Sequence, residues 1–281
     1  MSSLLLLPTN ADVTLITVNI YRSDTIDGTY TIVDTDLSTI LEYVDITGDY
    51  TKFYKISFTD GIIESSLTVI IPFEKQVINL VRNLVQIPEA DLSDAVIINL
   101  IPTAQHDIRL DICEYVYGEI LVYSADGIYT LPNRYFYDKN NGGAISTLDV
   151  DFYLQTIPVY AYSDKISIIP TTIDIDERYI ELSRTLLATE QIKMNYYMTR
   201  RRIETDSLLT MLVYKIAANH FEEQYTYATG SSNAQKVKIG DITIDTGTKS
   251  ATLLKDTYMK AEAKYTKLID NFKQGFYRAK E

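Results

Sequence analysis

From Asp12 to Ile71 the chain alternates between apolar and polar positions. Val13, Leu15, Thr17, Asn19 and Tyr21 share one face of an extended segment, and Thr14, Ile16, Val18 and Ile20 share the other. Period two predicts a strand buried on at least one side. Asp24 to Gly28 carries turn chemistry. Tyr30 to Val33, Leu41 to Val44, Lys52 to Phe58 and Ser66 to Ile71 read as further strands, with an Asp60-Gly61 turn signal before the last. Pro72 closes this small all-β module.

From Phe73 the period changes. Phe73, Val77, Leu80, Val81 and Leu84 lie at helical spacing, and the helix is expected to stop before Pro88. Asp91 or Ser93 is expected to cap a second helix through about Leu100, and Pro102 to open a third running to about Cys113. From Tyr115 to Met198 the pattern returns to strands. The candidates are Tyr117 to Tyr123, Tyr129 to Leu131, Asp151 to Ile157, Lys165 to Ile169, Tyr179 to Leu182 and Gln191 to Tyr197. Asn140-Asn141-Gly142-Gly143 predicts a mobile loop.

Asp206 is positioned to cap the next helix, whose apolar stripe is Leu208, Leu209, Leu212, Val213, Ile216 and Phe221. Gly230-Ser231-Ser232-Asn233 breaks it, and Val237 to Asp245 alternates around Gly240-Asp241 as a tight hairpin. A last helix, about Ser250 to Phe276, carries the seam Leu254, Tyr258, Ala261, Tyr265, Leu268, Phe272 and Phe276. The expected class is therefore α+β: a β module over 1–72, then a helical domain over 73–281 with a β-rich insertion at about 115–199.

Composition narrows the chemistry. A chain of 281 residues with a 46 % apolar fraction can bury a core without disulfides or metal. The lone Cys113 cannot form an internal disulfide, which fits assembly in a reducing cytosol. The run Leu4 to Leu7 is too short for a signal-peptide core, and no run approaches a membrane span. The net charge of −12 argues against sequence-independent DNA binding. That charge is uneven: Lys249 onward holds eight Lys or Arg against four Asp or Glu, a net of +4, leaving −16 for the other 248 residues. A basic tail on an acidic body is suited to an acidic partner. The 23 tyrosines fit a β-rich chain with much contact surface.

Catalytic patterns are not evident. His106 and His220 both fall on predicted helices among apolar neighbours, where structural roles prevail. Cys113 has no cationic neighbour in sequence to activate it. The pairs Asp149 with Asp151, Asp174 with Asp176 and Asp241 with Asp245 could meet a hard cation, but a solvated strand face explains them as well. We expect no cofactor and no resident metal. Arg200, Arg201 and Arg202 form the concentrated basic cluster, able to meet phosphates or a neighbour's carboxylates.

Two resemblances follow. Ile20-Tyr21-Arg22-Ser23 with Gly28-Thr29-Tyr30, Tyr43-Val44-Asp45, Phe53-Tyr54-Lys55-Ile56 and Glu64-Ser65 resemble the middle and late strands of a fibronectin type III or immunoglobulin-like domain. Little chain precedes Val13, and the usual core tryptophan is missing. The remainder resembles the head-to-tail adaptor, or connector, proteins of tailed bacteriophages, over about Phe73 to Cys113 and Asp206 to Glu281. The carriers are Asp91-Leu92-Ser93-Asp94, Ala104-Gln105-His106-Asp107-Ile108, the helix ending near Tyr227, the hairpin Lys238-Ile239-Gly240-Asp241-Ile242-Thr243-Ile244-Asp245 and the long last helix.

This likeness implies a virion structural protein rather than an enzyme. It implies a homo-oligomeric ring, typically a dodecamer, below the portal at the neck, assembled in the host cytoplasm. Its partners would be itself, the portal protein and a downstream stopper, neck or tail protein. DNA would pass only as channel cargo, and no membrane is involved. The likeness puts portal docking on the C-terminal segment, here Lys255, Lys260, Lys264, Lys267 and Arg278, with Arg200, Arg201 and Arg202 as inter-subunit or lumen residues. A tail, neck-fibre or baseplate component is the alternative.

Overall fold

The computed structural model describes residues 2–8, 17–38, 42–125, 127–140, 148–156, 166–174, 177–183, 186–187, 189–230, 236–239, 242–245 and 251–274. These form a mixed α+β fold with four α-helices and several antiparallel sheets. The chain divides into two compact units, 1–108 with 205–281, and 109–204.

The first unit opens with β1 (Ser3–Leu6), β2 (Thr17–Ser23), β3 (Thr31–Ser38), β4 (Glu42–Asp45), β5 (Phe53–Thr59) and β6 (Thr68–Ile70). A four-stranded antiparallel sheet runs β3-β2-β5-β6, and β1 pairs with β4. Alternation explains the packing. Val18 and Ile20 of β2 and Tyr54 and Ile56 of β5 point inward, onto Leu5, Leu7 and Ile70. The short run Leu4 to Leu7 thus becomes an edge of the core. The strand expected from Val13 is described only from Thr17, since 9–16 lie outside the described residues.

Asp45 locks the end of β4 into this core. Its carboxylate accepts from Arg22 Nη1 (2.7 Å), Tyr54 OH (3.0 Å), Thr47 N (2.9 Å), Thr47 Oγ1 (2.8 Å) and Gly48 N (2.9 Å). On the outer face of the sheet, Glu64 accepts from Asn19 Nδ2 (3.0 Å), from Tyr21 OH and from Ser57 Oγ.

Helix α1 (Phe73–Leu80) buries Phe73, Val77 and Ile78 and continues as a π-helical turn over Val81–Val85. The wider π turn adds residues per revolution, so Leu84 rotates off the expected seam and is exposed. Gln86 then ends the helix in the left-handed region, at φ 60°, before Pro88. Helix α2 (Asp94–Ile112) corrects the expectation of two helices, because Pro102 sits inside it. Ile97, Ile101, Ala104, Ile108 and Ile112 form one buried stripe across the proline, and that packing keeps the helix continuous despite the lost hydrogen bond. Of the two candidate caps, Ser93 takes the position: its carbonyl accepts from Ile97 N at 3.1 Å.

The second unit contains β7 (Glu114–Ile120), β8 (Val122–Ala125), β9 (Ile128–Thr130), β10 (Tyr135–Phe136), β11 (Val150–Thr156), β12 (Ile166–Ile168), β13 (Thr172–Asp174), β14 (Tyr179–Glu181) and β15 (Glu190–Thr199). One five-stranded sheet runs β10-β15-β11-β12 with β7 also on β15, and a four-stranded sheet runs β13-β14-β9-β8. Both line one core of Leu121, Tyr129, Leu131, Phe152, Leu154, Ile180, Ile192, Met194 and Tyr196. The single strand expected over Tyr117 to Tyr123 is split at Leu121, which is buried and donates its N–H to Ile192 O (3.1 Å) as the chain passes between sheets. Gly118, at φ 68°, makes the bulge where β7 slips register on β15, and its N–H donates to Asn195 Oδ1 (2.8 Å). Of the expected loop Asn140 to Gly143, Asn140 is buried and donates its N–H to Asp138 Oδ1 (3.0 Å); the rest lies outside the described residues.

The chain returns to the first unit with α3 (Thr205–Gly230), β16 (Lys236–Ile239), β17 (Ile242–Asp245) and α4 (Ala251–Gln274). Helix α3 starts one residue before Asp206, which therefore lies in the first turn rather than at the cap. β16 and β17 pair antiparallel, Lys236 opposite Asp245 and Ile239 opposite Ile242, with 240 and 241 outside the described residues. No helix among the described residues is long and apolar enough to cross a membrane.

Candidate functional site

Helices α3 and α4 pack as an antiparallel hairpin. From Leu208 to Phe221, α3 is buried on almost every side, so it serves as the central helix of its unit. Lys215 Nζ lies 4.9 Å from the Tyr265 ring centroid, while Glu222 acts on Tyr258 further along. Numbers rise on one helix as they fall on the other. The seam of α4 is Leu254, Ala261, Tyr265, Ile269 and Phe272. Ile269 replaces the expected Leu268 at full burial; Tyr258 and Leu268 are half-buried, and Phe276 lies outside the described residues.

The lysines assigned to docking do not share one face. At about 100° per residue, Lys260, Lys264 and Lys267 fall within roughly 60° of one another and roughly 110° from the seam. All three are exposed. Leu253, 50 % exposed, extends their line. Lys255 is exposed too, but about 120° or more around the helix from them. Arg278 lies outside the described residues.

On the other flank Glu262 lies about 20° around the helix from Lys255. Burial first, then the Glu222 and Glu262 carboxylates, hold the Tyr258 hydroxyl above its ordinary range. Both carboxylates are therefore near Tyr258. Next to them, Asn219, Glu222, Glu223, Thr226 and Tyr227 line an open groove on the second half of α3. Tyr227 is 76 % exposed. Sequence reasoning did not single out these residues. A signal existed, because the apolar stripe of α3 stops at Phe221 while the helix runs on to Gly230.

Other candidate groups are satisfied structurally. His220 is buried, and its Nε2 donates to Asp91 O at 3.1 Å, since a carbonyl can only accept. His106 lies on an exposed position of α2 rather than among apolar neighbours. Burial pushes the Cys113 thiol up to about 12, against a smaller opposing pull from Arg109. Arg109 Nη1 donates to Asp149 Oδ2 (2.8 Å), and its guanidinium lies 4.3 Å from the centroid of Tyr197, whose ring meets that of Tyr115 at a tilt, with centroids 4.8 Å apart. Asp149 thus faces an arginine, and Asp151 stands opposite Asn195 in the sheet.

Of the arginine cluster, Arg200 Nε donates to Glu114 Oε1 (2.7 Å), and Arg201 and Arg202 are exposed. The side chains of Asp174 and Asp245 and all of Asp176 and Asp241 lie outside what is described. No group of three or more His, Cys, Asp or Glu placed to hold a metal occurs among the described residues. No family model, curated protein or solved structure matches the chain.

Proposed function

We propose that the chain is a virion structural protein of a tailed bacteriophage, a head-to-tail adaptor subunit that forms a ring below the portal and joins the DNA-filled capsid to the neck. The observation that carries this reading is the long antiparallel hairpin of α3 and α4, joined through the β16–β17 ribbon. A subunit in a closed ring needs two unlike surfaces, one for each neighbour, and a further surface for the structure it docks on. The order of elements supports the same reading: helices α1 and α2, a β-rich unit, then the helical hairpin.

In this reading the β module over 1–72 is a shortened fibronectin- or immunoglobulin-like sandwich that spaces or decorates. Its two small sheets around one core support that assignment. The protein works by docking and needs no catalytic group. The test is native mass spectrometry of the full chain with and without the portal protein of the same phage. Conversion from monomer to a ring-sized complex on portal is the expected result. A stable trimer, or a monomer indifferent to portal, would instead mean a fibre, tail or baseplate role.

A further inference from the structure

The first strand stands apart from the sheet beside it. Among the described residues β1 pairs with β4 alone and β4 with β1 alone, while β3, β2, β5 and β6 form their own sheet. Sequential strands usually lie side by side, yet β1 passes over β2 and β3 to reach β4. There it completes the core of the module. Leu5 and the following Leu7 are buried with Val18, Ile20, Tyr54, Ile56 and Ile70. Burying two leucines stabilises by roughly 3–6 kcal/mol, so a vacated seat draws a strand back. Towards α1, β1 is held more loosely: Leu4 N–H meets both carboxylate oxygens of Glu74 at 3.3 Å, a long distance for such a bond.

We infer that β1 is exchanged between copies: residues 3–7 of one subunit seat on β4 and the module core of the next, so that each subunit closes its neighbour's core. This deepens the ring reading and rests on it. The seat itself shows what fills it, a strand with apolar residues two apart, and every copy carries that strand ahead of β2. An exchanged strand keeps the contacts of a self-seated one, so the tether and the neighbour's distance decide between them. Nine residues, 8–16, separate Leu7 from β2 and reach roughly 30 Å at full extension. A ring holds the neighbour's seat close, which raises the effective concentration of the strand there. Passing β1 one way around is a heterologous contact that closes with the ring. The β module then links subunits as well as spacing them.

Disulfides read which chain supplies each seated strand. Leu4 N–H leaves the ladder for Glu74, so Leu4 and Val44 form a non-hydrogen-bonded pair. Their Cα atoms are then roughly 4.5 Å apart, within the span of a disulfide. Neither side chain belongs to the core, and Val44 is half exposed. The full-length chain carrying L4C and V44C, with C113S to remove the native thiol, is assembled on portal, oxidised and run on a denaturing gel without reductant. A ladder of covalent multimers extending beyond the dimer is expected, and neither L4C nor V44C alone should give it. Rings whose chains run only as monomers, bridged internally or not, overturn the inference and leave the ring reading standing. A product that stops at the dimer means reciprocal exchange and overturns it likewise. Where circular dichroism shows L4C/V44C unfolded, L6C/E42C, the next outward pair in the same register, gives the same readout. A wild-type chain that forms no ring with portal overturns the ring reading and this exchange together.

Discussion

A carboxylate as enclosed as that of Asp45 is tolerated because five donors converge on it. Burial alone would raise its pKa. Hydrogen bonds from Thr47, Arg22 and Tyr54 outweigh burial and hold it below the ordinary aspartate range. Tyr54 is pushed the other way, to about 12, by burial first and by its bond to Asp45. The sign of the linkage follows. A depressed carboxylate contributes stability that is present above its unfolded pKa, about 4, and is lost as pH falls through the folded value. Asp45→Asn should therefore cost about 2–4 kcal/mol near neutral pH, by leaving buried donors facing an amide. Urea unfolding at a series of pH values should show the gap to wild type closing below about pH 4. A pH-independent gap would assign the loss to packing rather than to the charge.

At the scale of elements, α2 shows packing overriding local preference. Proline inside a helix removes one hydrogen bond and crowds the preceding turn, yet the isoleucine stripe from Ile97 to Ile112 spans it. Pro102 itself is exposed, so its ring adds little to the core. Pro102→Ala should restore the missing bond without opening a cavity and raise stability by about 1–2 kcal/mol, the helix gain being partly offset by a freer unfolded chain. The urea midpoint measures this. A lower midpoint would mean that the proline shapes the helix to a curvature that α3 requires. Gly118 shows the converse case, in which one residue with positive φ sets where β7 slips against β15.

For the whole molecule, the uneven charge of the sequence becomes a spatial arrangement. The excess of lysines after Lys249 is not one docking patch, since α4 distributes Lys255 and the Lys260 line to different sides. Contacts between exposed charges weaken within a Debye length of roughly 10 Å at 0.1 M salt, and that length shrinks as salt is added. The portal-driven ring should therefore lose occupancy when salt is raised from about 0.05 M to 0.5 M, as read by light scattering. A salt-indifferent ring would place the portal contact on apolar surface, and the exposed Tyr115, Tyr117, Ile120, Val122 and Tyr123 of β7 and β8 offer one.

The sequence by itself determined which segments are strands and which are helices wherever periodicity runs long enough. β2, β5, β15 and α4 are legible because one buried face imposes its spacing on the residues, and β11 and α3 because a longer apolar run is buried on more than one side. Short elements such as β10 and β13 span too few residues to carry a period, and β1 was hidden in a leucine run that alternates only once docked on β4. Tertiary structure decided the rest. It carried α2 through Pro102, rotated Leu84 out of its seam, split the strand at Leu121 and moved Ile269 inward. It also decided the candidate site, because a list of lysines and glutamates does not say which flank each occupies. That depends on which stripe of each helix the core claims first.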